Sequence, residues 1–284
     1  MPISQTALIV AMLRGRQSAL PQPLCQDPYA LALAGAEGEE ALSRLPHLPL
    51  DIQRGVPART AFLDELLRRF VRGAGGPRQV LILGAGLDSR AARLAAPGVT
   101  FFEIDQPDIV AYKQRRIAAV PGYPAGAARH VTCDFAHQHP LERARAADLS
   151  PEQPTLVLME GVASFLPVEA LRASLSAIAR GLHPDSLLVF DVLVNQPAER
   201  GAAAPESPKL ARMHSQAAEL GEPFQSTQAA MLPLIYQAGF RYVRHATFHE
   251  VSAGLYGSYQ AELDLFAHWH VYLASRAAAQ VLFT

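Results

Sequence analysis

The sequence predicts an α/β protein: a doubly wound, seven-stranded, mostly parallel sheet, with a helical cap ahead of it and a lid insertion before the sixth strand. Three observations carry that reading. Seven apolar, β-branched or aromatic runs are spaced along the chain, helix-period segments separate the first five, and the first run ends in glycines where a strand would turn into a helix. Strands that alternate with helices pair in parallel, and such a sheet is covered on both faces.

The elements follow in order. Helical patterns at 5–17 and 58–72 bracket a Pro-punctuated loop, and this flank, residues 1–78, is expected to form a cap. The first strand is 79–83 (QVLIL), followed by a helix at 87–95; the second is 100–105 (TFFEID), followed by a helix at 107–119. Further strands are expected at 129–133 (RHVTC), 155–159 (TLVLM) and 186–193 (SLLVFDVL), with a helix at 168–181 before the last of these. Residues 195–226 open as a Pro/Gly/Ala-rich linker and then turn helical. An insertion at that place often closes over a ligand, and a surface loop is the plainer alternative. The last two runs, 240–248 (FRYVRHATF) and 269–275 (WHVYLAS), are joined without a long clean helix, so the final strand is expected to run antiparallel. Residues 79–284 are thus read as the core, forming one structural domain with the flank.

Composition narrows the function classes. Half of the 284 residues are hydrophobic, 18% are charged, and the formal net charge is −1, which leaves no basic footprint for a nucleic acid or an anionic membrane surface. Cys25 and Cys133 are spaced neither as a metal knuckle nor as a redox pair, so no metal site is expected and the thiols read as free in a reducing cytoplasm. Arg14 and Arg16 follow the apolar part of the N-terminal segment, where a signal peptide would carry its charges first. No run approaches the ~20 apolar residues of a membrane span. Nothing in the sequence fixes an oligomeric state.

The glycines then pose a chemical question. In open α/β sheets ligands bind beyond the carboxyl ends of the strands, and Gly84, Ala85 and Gly86 fall at that end of the first strand. A nicotinamide fingerprint needs a third glycine where Ser89 stands, and a P-loop needs Gly-Lys-Ser/Thr; both are absent. About twenty residues on, Asp105 ends the second strand where a carboxylate can accept both hydroxyls of a ribose, with Glu103 as its rival on the same face. Asp134, after the third strand, is placed to accept from an adenine amino group, while Phe135 offers a backbone amide and a ring to cover the base. Glu160 follows the fourth strand beside the same crevice. Acids at successive strand ends describe an adenosine ligand without phosphates, and S-adenosylmethionine meets that description because its sulfonium is cationic.

The chain also resembles the leucine carboxyl methyltransferase family, which includes bacterial O-methyltransferases of natural-product pathways. The resemblance rests on CQDPYA (25–30), QRGVPARTAFLDELL (53–67), ILGAGLDSRAARL (82–94), FEIDQPDIVAYK (102–113), CDF (133–135) and MEGVASFLP (159–167), in matching order over the first two-thirds. It implies a class I, Rossmann-like methyltransferase fold with Gly84, Asp105, Asp134, Phe135 and Glu160 at the cofactor. It further implies that Arg59 binds the methionyl carboxylate, together with an upstream basic residue: Arg16 matches best, with Arg14 as rival.

Methyl transfer to an ionised carboxylate needs no base, whereas a hydroxyl acceptor calls for one, usually histidine. His214, His245, His249, His268 and His270 are the downstream candidates, none in a recognisable pair with a carboxylate. The acceptor is expected between the cap, the GVASFLP segment and the insertion with its Lys209, Arg212 and His214. The preferred reading is methylation of a carboxylate on a small, polyketide-like natural product. Hydroxyl O-methylation, methylation of a protein C-terminal carboxylate, and a non-catalytic cofactor-binding protein are the alternatives.

Overall fold

Side chains along a strand point alternately to opposite faces, so a sheet buried on both sides shows continuous apolar runs that feed two separate cores. In the computed structural model, which describes residues 3–72, 78–124, 126–135, 137–194, 208–226, 230–260 and 263–277, this alternation is visible in every central strand. Strand β1 (Arg78–Leu83) sends Val80 and Ile82 into one apolar cluster and Leu81 and Leu83 into the other. β4 (Thr155–Met159) divides into Leu156 and Leu158 against Val157 and Met159, and β5 (Leu187–Leu193) into Val189 and Leu193 against Leu188 and Phe190.

The sheet has seven strands. With β2 (Val99–Asp105), β3 (Arg129–Thr132), β6 (Tyr242–Thr247) and β7 (Trp269–Ser275), its order is β3-β2-β1-β4-β5-β7-β6. β1 to β5 pair in parallel, and β7 alone runs antiparallel between β5 and β6. The chain order therefore reverses at β1 and β4, where the topology opens a crevice for a ligand.

One face is covered by α1 (Gln5–Ser18), α2 (Ala30–Ser43), α3 (Leu50–Arg72), α4 (Arg90–Arg93) and α5 (Pro107–Ala119); α6 (Pro140–Ala146), α7 (Val168–Gly181) and α9 (Met231–Ala238) cover the other. The expected loop between the first two helical patterns is in part a helix. α2 was hidden because Gly35, at φ 62°, kinks it in the middle and more than half of its residues are small. Glycines let α1 and α2 pack closely: Gly15 of α1 meets Leu31 of α2, and Gly38 of α2 meets Met12 of α1. α3 likewise begins at Leu50, eight residues before the expected start, and runs through Pro57. The expected helix at 87–95 shortens to α4, because Asp88 turns the chain by bonding the Arg90 amide at 2.6 Å.

Of the insertion, residues 195–207 lie outside the described residues, and the helical half is α8 (Pro208–Glu219). The expected sixth strand gives up its last residue to α10 (Phe248–Tyr256), which starts on a capping box between Thr247 and Glu250. No helix among the described residues is long and apolar enough to cross a membrane.

Candidate active site

The turn after β1 is pinned to β2, since the amides of Gly84 and Ala85 both donate to the Ile104 carbonyl, at 2.9 and 3.1 Å. Gly84 has φ 64°, and a Cβ there would clash with Val162 Cγ2, so no other residue fits without movement. The Gly86 amide donates to Asp105 Oδ2 at 2.6 Å, and the Gln106 amide to Asp105 Oδ1 at 2.7 Å. The glycine turn and the acid of β2 thus meet, as read from the sequence. Burial pushes the Asp105 pKa up, against the pull of those two amide bonds. Glu103 is committed elsewhere: its buried carboxylate accepts from Lys113 Nζ and lies 3.1 Å from His130 Nδ1.

Asp134 and Phe135 follow β3. Asp134 is half-exposed beside His137 Nδ1 at 2.8 Å, and Phe135 packs against the second apolar cluster. Glu160, just past β4, is clasped between two guanidiniums, with Arg59 Nε 2.8 Å from Oε1 and Arg90 Nη1 2.6 Å from Oε2. Burial works against this carboxylate, but Arg90 and Arg59 together outweigh it and hold its pKa below the usual range.

Arg59 reaches further. Its Nη1 donates to Asp191 Oδ2 at 2.8 Å, and its guanidinium lies over the Trp269 ring, 5.0 Å from the centroid. Asp191 Oδ2 also accepts the Trp269 indole N–H at 2.7 Å, while Asp191 Oδ1 accepts the Gly161 amide at 2.7 Å. Burial opposes the charge on Arg59, but Asp191 and Glu160 keep its pKa above the ordinary value.

The ion pairs continue outward through the cap. Arg90 pairs with Asp64 at 2.7 Å and with Asp88, Arg93 pairs with Asp64, and Arg14 pairs with Asp27 at 3.0 Å. Arg14 Nη2 also donates to the Leu87 carbonyl at 2.7 Å, next to the glycine turn. Four guanidiniums (Arg14, Arg59, Arg90, Arg93) stand against five carboxylates (Asp27, Asp64, Asp88, Glu160, Asp191), leaving one net negative charge, with Asp105 beyond them.

Arg16 is not brought to this site. It lies on the surface, more than half exposed, with Nη2 2.8 Å from Glu39 of α2. Helical phase is the reason: Ala7 and Arg14 are two turns apart on the face that meets Gly86 and Leu87, and Arg16 sits about 200° further round. Sequence reasoning missed Asp64, Asp88, Arg90, Arg93, Asp191 and Trp269. A signal existed for Asp191, a lone charge within the otherwise apolar LLVFDVL strand.

On the acceptor side, Phe165 and Phe224 pack with centroids 4.7 Å apart, and His214 of α8 meets Phe224 edge-on. Lys209 lies 3.6 Å from Asp51 of α3. Among the described residues no cluster of His, Cys, Asp or Glu is arranged to hold a metal.

The donor set fits S-adenosylmethionine. Arg59 Nη2 and the buried Arg90 Nη2 carry no hydrogen bond among the described residues, which suits a carboxylate, and the net negative surround suits a cationic sulfonium and ammonium. Sheet order, the single antiparallel strand and this crevice define the class I methyltransferase fold.

The comparisons carry this to a family. A profile described as "Leucine carboxyl methyltransferase" matches residues 7–179. A protein of Mycolicibacterium smegmatis, described as a candidate S-adenosyl-L-methionine-dependent methyltransferase, is 34% identical over 212 residues, 70% of each chain. A Mycobacterium ulcerans protein so described is 31% identical over 267 residues, 88% of this chain and 86% of the relative. Among solved structures, a DUF574 family protein from Streptomyces avermitilis superposes with TM-score 0.61 at 15% identity, covering 96% of this chain and 97% of that one. Magnesium protoporphyrin IX methyltransferase from Synechocystis, solved with bound S-adenosylhomocysteine, gives TM-score 0.51 at 15% identity over 85% of this chain and 95% of that one. The chain belongs to the leucine carboxyl methyltransferase family, and it is an S-adenosylmethionine-dependent methyltransferase.

Proposed function

We propose that the enzyme methylates a carboxylate oxygen of a small, polyketide-like natural product. S-adenosylmethionine, when bound, supplies an electrophilic methyl group on a sulfonium, to be displaced in line by the acceptor oxygen. In this reading the turn Gly84-Ala85-Gly86 lets the backbone approach the cofactor, and Asp105 accepts the ribose hydroxyls. Asp134 and Phe135 take the adenine. Arg59 and Glu160 receive the carboxylate and ammonium of the methionyl end, and Arg14 replaces Arg16 as the upstream basic residue, since its guanidinium reaches Leu87. The insertion that contains α8 acts as the lid.

One observation supports the carboxylate acceptor most strongly. The two acids nearest Arg59 are poorly suited to take a proton from an acceptor: Glu160 lies between two guanidiniums that hold its pKa below the usual range, and Asp191 already bonds a guanidinium, an indole and an amide. An acceptor that arrives already ionised requires neither. A second reading, hydroxyl methylation, draws on His268. Its Nδ1 is 3.1 Å from the Val194 carbonyl, which can only accept, so Nδ1 donates there and Nε2 is the ring nitrogen left to meet an acceptor hydroxyl at the carboxyl end of β5.

The test is the chemistry of the product. Methyl-labelled S-adenosylmethionine is incubated with the enzyme and a panel of aromatic and polyketide acids and phenols, and the products are treated with mild alkali. Label released as methanol marks an ester and supports the carboxylate reading. Alkali-stable label that disappears in His268→Gln marks an ether and favours the second.

A further inference from the structure

We infer that Asp191 is a positioning residue for the cofactor's amino-acid end, acting through Arg59 and the Trp269 indole; this rests on the reading of Arg59 as the methionyl carboxylate ligand. Asp191 ties together three parts of the site that are remote in sequence. It accepts from Arg59 of α3 at 2.8 Å, from the Trp269 indole of β7 at 2.7 Å, and from the Gly161 amide beside Glu160 at 2.7 Å. Its side chain is buried, and it projects from the face of β5 that carries Val189 and Leu193 into the cap-side core.

The consequence is an arginine with a single orientation. Arg59 Nε is taken by Glu160, one N–H of Nη1 by Asp191, and the guanidinium rests over the indole, so Nη2 and the second N–H of Nη1 remain to receive an anion. An arginine has enough rotamer freedom that a lone guanidinium would spread over several positions; one fixed from two edges and one face is ready for a carboxylate before it arrives. The indole is fixed in turn. It stacks on Phe248 at 4.3 Å, and its Cζ3 lies so close to Gly55 that a Cβ there would approach to 2.5 Å. Gly161 completes the arrangement, since its φ of 64° turns the chain under Arg59 and a Cβ would stand 3.2 Å from Nη1.

Two ligands separate positioning from mere support. S-adenosylhomocysteine carries the amino-acid carboxylate; 5′-methylthioadenosine has the same nucleoside and a sulfur but no carboxylate. Titration calorimetry on the full chain measures both for wild type and Asp191→Asn. Removing the charge that holds Arg59 weakens S-adenosylhomocysteine by about tenfold or more, since a charge-assisted bond to the ligand loses its geometry, and leaves 5′-methylthioadenosine within about twofold. An equal loss for both ligands assigns Asp191 to the fold alone and overturns the inference, as does no loss for either. Wild-type protein that binds neither ligand would overturn the cofactor reading and this inference with it. Should Asp191→Asn not fold, Trp269→Phe keeps an aromatic face under Arg59 and removes the indole donor to Asp191. A loss confined to S-adenosylhomocysteine, about threefold, supports the inference, and an equal or absent loss overturns it.

Discussion

Replacing Asp105 by asparagine gives a prediction whose size follows from the geometry. The Gly86 amide occupies one acceptor position on Oδ2 and the Gln106 amide one on Oδ1, so each oxygen has a second lone pair free for a ribose hydroxyl. A hydrogen bond to a charged group contributes ~1.5–3 kcal/mol, and an asparagine keeps one neutral acceptor in place of two charged ones, so the net loss comes to about 2 kcal/mol. That corresponds to roughly 30-fold in affinity for S-adenosylhomocysteine by titration calorimetry. The origin of the loss is checked by a cycle with adenosine and 2′,3′-dideoxyadenosine, which wild type separates more widely than the variant does. Unchanged affinity for S-adenosylhomocysteine, or an undiminished preference for adenosine in the variant, refutes the ribose assignment. Because burial raises the Asp105 pKa, the wild-type affinity also falls with acidification before pH reaches 3.8, the group's ordinary value.

Gly84→Ala forces a side chain onto φ 64° and toward Val162; strain and clash together cost ~2–4 kcal/mol in urea unfolding, and Val162→Ala in the same chain restores part of it. Arg14→Ala breaks a buried pair with Asp27 and destabilises by ~3–5 kcal/mol, whereas Arg16→Ala, on the exposed Glu39 pair, changes stability by less than ~1 kcal/mol; equal effects would reverse the choice between them. Burial first, and His245 next, bring the His270 pKa from 6.5 down to about 4, so the unfolded chain binds the proton more readily. The corresponding stability is fully present above pH 6.5 and is lost as pH falls toward 4, by ~3 kcal/mol, and a stability profile in His270→Asn that keeps the same slope contradicts it.

The strands were legible because burial on both faces leaves a plain mark, a short apolar run bounded by turn residues. The meeting of the glycine turn with Asp105 was legible for a related reason: both stand at strand ends, which the runs locate. Helical phase was harder to read where contrast was low. In α2 the kink at Gly35 and the alanine-rich composition erase the periodic signal, and α3 runs continuously through Pro57 from Leu50, where a pattern was read only from 58 on. The Thr247–Glu250 capping box was present in the sequence as T-F-H-E, but the apolar run before it drew Phe248 into a strand.

The ion-pair network could not be read from one sequence, because its partners are joined only by the fold. Arg59 and Asp191 are 132 positions apart, and Arg90 meets Asp64 from 26 positions away. Local spacing likewise could not choose between Arg14 and Arg16, two residues on different sides of one helix. What chose was contact with Leu87 and Asp27, supplied by the turn and loop against which α1 packs. Such buried pairs contribute little net stability against apolar alternatives.

The most direct measurement is a crystal structure of the enzyme with S-adenosylhomocysteine. The ribose is expected against Asp105, the thioether beside Gly84–Gly86 and the carboxylate on Arg59. Ligand density at any other place on the protein, or a ribose turned away from Asp105, contradicts that placement.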